Sequence, residues 1–166
     1  PARASARDMQ VVDILHPRRV AVARHERERV RTKSEALHRL AELLSSFDAS
    51  LSVDTVEGVL VRREELQSTG VGGGVAIPHA SVEGLDRIIG AVLLCPEPIG
   101  FDAIDGLPVS IVFAIVGPRK STGEHLKTLA KVSRLLRDDD FRARLVQAAS
   151  SEEAFGIIAT EEEARR

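Results

Sequence analysis

Apolar residues recur along this chain first at every second position and then at every third and fourth. Val20 and Val22 alternate with Ala21 and Ala23, which predicts a short strand. Thr32 followed by Glu35 forms a capping box ahead of Leu37, Leu40 and Leu44, so a helix is expected from there to about Ser46. A second helix is expected from Asp54, with Val56, Val59, Leu60 and Arg63 on adjoining faces, and the Ser68–Gly74 loop ends it. Three runs, Val75 to Pro78, Ile88 to Cys95 and Val109 to Val116, are apolar enough for buried strands, with Pro96, Pro98 and Asp105-Gly106 as turns between them. Three helices follow. One carries Leu126, Leu129, Ala130, Leu135 and Leu136 after Ser121-Thr122-Gly123. Another surrounds Phe141 and Leu145 behind a cap at Asp139 or Asp140, and the last runs through Phe155 and Ile158 behind Ser151. Helices on either side of a strand-rich middle predict an α/β fold, a single-domain sandwich with a central mixed sheet of about five strands flanked by helices on both sides.

Composition narrows the class of function. The chain has 166 residues, 43% of them hydrophobic and 29% charged, which suits one globular domain with a well-solvated surface. Residues 9–160 are expected to form that domain. Residues 1–8 are expected to be a disordered N-terminal extension, with Met9 a candidate start, and 161–166 a frayed tail. With five Phe and no Trp or Tyr, stacking on bases is not an expected activity, and a net charge of −2 gives no general attraction to nucleic acid or anionic membrane. The arginine-rich run Arg24 to Arg31 is interleaved with glutamates and reads as a mixed-charge surface. Neither a signal peptide nor an apolar run of membrane-spanning length is present, so no direct membrane insertion is expected. One cysteine, Cys95, excludes an internal disulfide and accords with a cytoplasmic location.

The candidate chemistry lies in Arg63-Glu-Glu-Leu-Gln-Ser-Thr-Gly70-Val-Gly-Gly-Gly74-Val-Ala-Ile-Pro-His79. A glycine run invites comparison with nucleotide-binding loops, but no lysine lies between Lys33 and Lys120. The glycines also follow a helix and precede a strand, the reverse of a dinucleotide fingerprint. Pro78 fixes the path on which the backbone reaches His79. Phosphoryl transfer to an imidazole requires one ring nitrogen free and facing the donor, the other donating to a fixed acceptor, and cations near the phosphoryl oxygens. Arg63 offers a guanidinium fork at the end of the preceding helix, and His125 stands near the start of a later one, where the helix dipole favours an anion. A zinc site at His79 and His125 lacks a third and fourth ligand. Cys95 reads as inert core, and His16, His25 and His38 as surface or helix residues.

The stretch from Arg63 to Ala80 resembles the signature of the enzyme IIA domains of the bacterial phosphoenolpyruvate-dependent phosphotransferase system, fructose/mannitol type, a branch that includes the nitrogen-regulatory IIA proteins. The likeness continues through Pro98-Ile-Gly-Phe101-Asp-Ala-Ile-Asp-Gly-Leu-Pro-Val109 and Glu124-His125-Leu126-Lys-Thr-Leu129-Ala130, covering roughly residues 10–158. By this resemblance His79 accepts the phosphoryl group and Arg63 and His125 are its partners, while Ser68 and Thr69 match the Ser-Thr pair before the loop and have a phosphate-positioning role. Gly73 stands where many members have Asn, and Gln67 where Gly is common. The resemblance implies a phosphotransferase that takes its group from the histidine-containing phosphocarrier protein and needs no nucleotide or metal cofactor. It passes the group to a IIB domain for sugar uptake or, alternatively, reports its phosphorylation state to a regulatory target protein.

Overall fold

A computed structural model of the chain describes residues 9–166, so the disorder expected for residues 1–8 lies outside the described residues. The first long helix, α1 (Lys33–Ser45), begins where Thr32 accepts a hydrogen bond from the Glu35 N–H at 3.1 Å. The Glu35 carboxylate reaches back one residue further than a capping box requires and accepts from the Arg31 N–H at 2.8 Å. Helix α2 (Val53–Leu66) starts behind Ser52, whose hydroxyl accepts from the Thr55 N–H. Asp54, expected as the start, lies in the first turn. The same displacement recurs at α4 (Asp139–Val146), capped by Asp138, and α5 (Ser151–Ala164), capped by Ser150. In each case several cap-forming residues adjoin, and the member whose backbone is still extended takes the N–H three residues on.

Six strands form one mixed sheet: β1 (Val20–Val22), β2 (Gly70–Gly72), β3 (Val75–Ala76), β4 (His79–Ser81), β5 (Ile89–Ile99) and β6 (Val109–Gly117). Their order is β1-β5-β6-β3-β2, with β4 also paired to β6. The glycine segment, expected as a loop, supplies β2 and closes an antiparallel hairpin on β3. Strand β5 also departs from expectation, because it passes through Pro96 and Pro98 and regains its pairing at Ile99 opposite Val109. Proline offers no N–H to a ladder, and the irregularity between Leu94 and Ile99 removes the need for one.

Alternation along β5 and β6 divides the core into two layers. Ala91, Leu93 and Cys95 with Val112, Ala114 and Val116 face α1 and α2. Val92 and Leu94 with Ile111, Phe113 and Ile115 face α3 (Thr122–Leu135), α4 and α5. The sheet is therefore covered on both sides, as the sequence implies. Helix α3 presents a different stripe from the one expected: His125, Thr128, Val132 and Leu135 are buried, whereas Leu126 is 64% exposed. The tail also differs from expectation, because α5 remains helical to Ala164. Glu161 pairs with Arg144 and Arg165, and the Glu162 carboxylate accepts from the Val11 and Val12 N–H groups of the N-terminal 3-10 turn. Among the described residues no helix is long and apolar enough to cross a membrane.

Phe113 is 1% exposed at the centre of the second layer. Replacing it with alanine should lower the unfolding free energy by about 3–5 kcal/mol. A urea titration would read this as a lower midpoint at unchanged slope, and an unshifted midpoint would contradict the layer assignment.

Candidate functional site

His79 owes its position to an interruption in one long extended run. Strands β3 and β4 lie parallel to β6 in a single register, Val75 opposite Ile111, Ala76 opposite Val112 and His79 opposite Ile115. The break falls at Ile77-Pro78. Pro78 has no N–H to donate, though its carbonyl still accepts from the Ile115 N–H at 2.9 Å. The Ile77 N–H, which by alternation points away from β6, bonds the Thr69 carbonyl at 2.9 Å, tying the run to the start of the glycine segment. By strand alternation His79 shares a face with Val75 and Ile77, the face packed under α3.

The half-buried His79 ring has its Nδ1 3.0 Å from the Ile77 carbonyl oxygen. A carbonyl can only accept, so Nδ1 carries the hydrogen, and in the neutral ring the lone pair is on Nε2. The geometry selects one neutral tautomer and with it the nitrogen that can act as nucleophile.

His125 comes to the same place from the first turn of α3, where its N–H bonds the Ser121 carbonyl at 2.9 Å. It is 9% exposed, and its Nε2 is buried with no hydrogen-bond partner among the described residues. Burial first, and the neighbouring His79 second, hold its pKa below the ordinary value. Gly117, at the end of β6, makes this placement possible: a Cβ there would lie 2.9 Å from His125 Nε2. The role of Gly117 is steric, and no spacing in the sequence signals it.

The remaining expected residues lie on α2 and the segment that leads from it to β3. Arg63 sits in the last turn of α2, which packs beside β4, and its Nη1 donates to the Gln67 carbonyl at 2.9 Å. The Ser68 hydroxyl donates to the Phe101 carbonyl at 2.7 Å and accepts from the Gly70 N–H. Thr69 is buried, and its hydroxyl donates to Glu64 at 2.5 Å. Both hydroxyls thus hold the loop, and neither is turned toward the His79 ring nitrogen. The hairpin tip uses its backbone differently from an anion cradle, since the Gly73 N–H donates to Asp105 at 3.0 Å. N–H donors from Leu107 and Gly73 keep the Asp105 carboxyl below its usual range. Gly73 has φ +65, a conformation that Asn also tolerates, so the departure from Asn requires no change of turn. Gln67 is extended, at φ −169, and needs no glycine.

Three residues bear on the site without a sequence signal having been read for them: Gly117, Asp105 and Glu64. Glu64 was legible in principle. It continues the Val56, Leu60 stripe at four-residue spacing, which places an acid on the buried face of α2. Elsewhere, burial pushes the Cys95 thiol up to about 12, so it is no nucleophile near neutrality. His16 caps a 3-10 turn, His25 is exposed and His38 pairs with Glu57 at 2.8 Å.

Comparison with known proteins places most of the chain beside one family. The family described as "Phosphoenolpyruvate-dependent sugar phosphotransferase system, EIIA 2" matches residues 21–161. A nitrogen regulatory protein of Bradyrhizobium diazoefficiens is 34% identical over 151 residues, covering 91% of this chain and 95% of that protein. The crystal structure of nitrogen regulatory protein IIA-Ntr from Neisseria meningitidis is 36% identical and superposes with a TM-score of 0.80 over 89% of this chain and 98% of that one. Enzyme IIA mannitol of Escherichia coli, determined in complex with phosphorylated enzyme IIB mannitol, shares the fold at 21% identity. Its TM-score is 0.71, over 88% of this chain and 97% of that one.

The lowered pKa of His125 has a consequence for stability. Below the ordinary value of 6.5 the unfolded chain binds a proton that the folded protein refuses. The stabilisation is therefore complete above that value and is lost as pH falls through the lower folded value. Urea midpoints should decline on the acid side of neutrality, and His125→Asn should flatten that decline. An NMR titration placing His125 at or above 6.5 would refute the assignment.

Proposed function

The chain belongs to the EIIA 2 family of the phosphoenolpyruvate-dependent sugar phosphotransferase system, and on that footing we propose that it is a phosphohistidine carrier acting through His79. The observation that carries this reading is the Nδ1–H tautomer of His79, which leaves Nε2 free beside the unpartnered Nε2 of His125. In the proposed reaction His79 Nε2 attacks the phosphorus of a phosphohistidine on the histidine-containing phosphocarrier protein. A new N–P bond forms as the donor N–P bond breaks, and that electron pair returns to the donor imidazole. No nucleotide or metal takes part, because the transferable group arrives already activated.

Arg63 and His125 supply the charge that the transfer needs. Among the described residues Arg63 is held only by the Gln67 carbonyl, a neutral acceptor that a phosphoryl dianion outcompetes. A phosphoryl oxygen would satisfy the buried His125 nitrogen and raise the pKa that burial lowers. Ser68 and Thr69 serve in this reading by fixing the loop, through Phe101 and Glu64, rather than by touching the phosphate. Exposed Leu66, Val71, Ile104, Leu107 and Leu126 lie on the segments that carry the site residues and give protein partners an apolar surface.

The recipient of the phosphoryl group is proposed to be a IIB domain, by analogy with the mannitol pair. A second reading is favoured by the higher identity to nitrogen regulatory proteins than to IIA mannitol. In that reading the phosphorylated and free forms differ in their affinity for a regulatory target, without sugar transfer.

Incubation with phosphoenolpyruvate and the two general phosphotransferase proteins should place acid-labile label on the protein, and His79→Gln should abolish it. Label persisting in that variant would end the assignment. Arg63→Lys should slow labelling on the order of a hundredfold. Chase of the label onto IIB domains separates the two readings: transfer supports the sugar route, and retention with altered target binding supports the regulatory one.

A further inference from the structure

Glu64 is 7% exposed, and its carboxylate gathers three donors. The Lys33 ammonium lies at 3.0 Å, the Thr69 N–H at 3.1 Å from both oxygens and the Thr69 hydroxyl at 2.5 Å. Lys33 opens α1, and its ammonium also meets Asp102 at 3.1 Å and lies 5.1 Å from the centre of the Phe101 ring. Asp102 is the one non-glycine residue with positive φ among the described residues. One ion pair thus joins the first turn of α1, the last turn of α2, the corner at Phe101-Asp102 and the entry to the glycine hairpin.

The connection does not stop at Thr69. Its N–H is held by Glu64, and its carbonyl accepts from the Ile77 N–H at 2.9 Å. The Ile77 carbonyl in turn accepts from His79 Nδ1 at 3.0 Å. An unbroken series of polar contacts therefore runs from Lys33 to the ring nitrogen that selects the His79 tautomer. An ion pair with one buried partner is weak evidence for stability, since desolvating the charge offsets much of the attraction. Its value lies in geometry: an ionised carboxylate grips N–H and O–H donors more strongly than a neutral amide does.

We infer that the pair of buried Glu64 and half-buried Lys33 is a positioning device for phosphoryl acceptance, holding the Ile77 carbonyl through Thr69 and thereby keeping His79 in its Nδ1–H form. Its effect on rate rests on the carrier reading above, whereas its effect on the tautomer does not. Neither Lys33 nor Glu64 touches the reacting atoms. Glu64→Gln keeps the size of the side chain but turns an NH2 group toward a lysine and two donors. Lys33→Met leaves Thr69 untouched and removes the cation most distant from His79 along the series, so an effect there cannot come from direct contact with the ring.

The test uses the full chain with Glu64→Gln, Lys33→Met and Glu64→Asp, and with Ile158→Val as a packing control in the other core layer. Circular dichroism and urea midpoints establish folding, ring 15N shifts report the His79 tautomer, and labelling rates are measured against phosphocarrier concentration. Glu64→Gln and Lys33→Met are expected to fold and to show a mixed tautomer population. Their maximal rate should fall about tenfold or more with half-saturation unchanged, as a misplaced nucleophile requires. Glu64→Asp should recover part of the loss, and Ile158→Val should leave tautomer and rate as in the wild type. If Glu64→Gln does not fold, Lys33→Met decides by the same readouts. A wild-type tautomer in the folded variants, or a rate loss no greater than that of Ile158→Val, overturns the inference. A shifted tautomer in a protein whose wild type takes no label overturns the carrier reading and leaves the positioning role standing.

Discussion

When a peptide carbonyl accepts from one nitrogen of a neutral imidazole, the other nitrogen is left with its lone pair, and in this protein the Ile77 carbonyl makes that selection for His79. The carbonyl is available because it points away from β6, toward the end of β2, where the Thr69 N–H is taken by Glu64. Pro78, whose backbone faces β6, lacks a donor there, and the Ile77 N–H bonds the Thr69 carbonyl. The register with β6 nonetheless resumes unchanged at His79. The diversion of the Thr69 N–H to Glu64 thus leaves the Ile77 carbonyl to the ring while the ring stays on the sheet.

Around that constraint the protein keeps two polar regions of opposite character. On the α3 side, His125 is desolvated and its Nε2 has no partner among the described residues, a buried polar atom left unmatched where an anionic group is proposed to arrive. Gly117 provides the space for it, and the first turn of α3 adds the favourable end of a helix dipole. On the α1–α2 side, Glu64 is fully matched by Lys33 and Thr69, and the surrounding loop is fastened by Ser68 to Phe101. Satisfied polar groups hold geometry, whereas an unsatisfied one invites a ligand. The site joins both, with the ordered side reaching His79 through the backbone and the open side reaching it through space.

Much of the fold was legible because local chemistry and global packing agree. Thr32 marked the start of α1, and the apolar runs at Val75, Ile88 and Val109 marked strands that became β3, β5 and β6. Where several cap-forming residues adjoin, as in Ser150-Ser151 and Asp138-Asp139-Asp140, composition could not say which one ends the extended backbone. The passage of β5 through two prolines was hidden, since prolines mark turns unless an irregular ladder excuses their missing N–H groups. On α3 the expected Leu129, Leu135 and Leu136 do reach the core, whereas Leu126 is exposed, and His125 and Thr128 take buried places that a polar residue type does not announce.

The sequence by itself determined the class of fold and the family and singled out His79 as the candidate nucleophile, because these depend on residue types at short spacing: a glycine run, Ile-Pro-His and an arginine at a helix end. It also carried the two histidines as separate facts. Only the tertiary structure decided that they meet, that His79 keeps its hydrogen on Nδ1, and that Ser68 and Thr69 turn their hydroxyls to Phe101 and Glu64. Those outcomes depend on which backbone groups remain unpaired after the sheet has formed and on how deeply a side chain is removed from water. Both are properties of the assembled layers, and no local pattern encodes them.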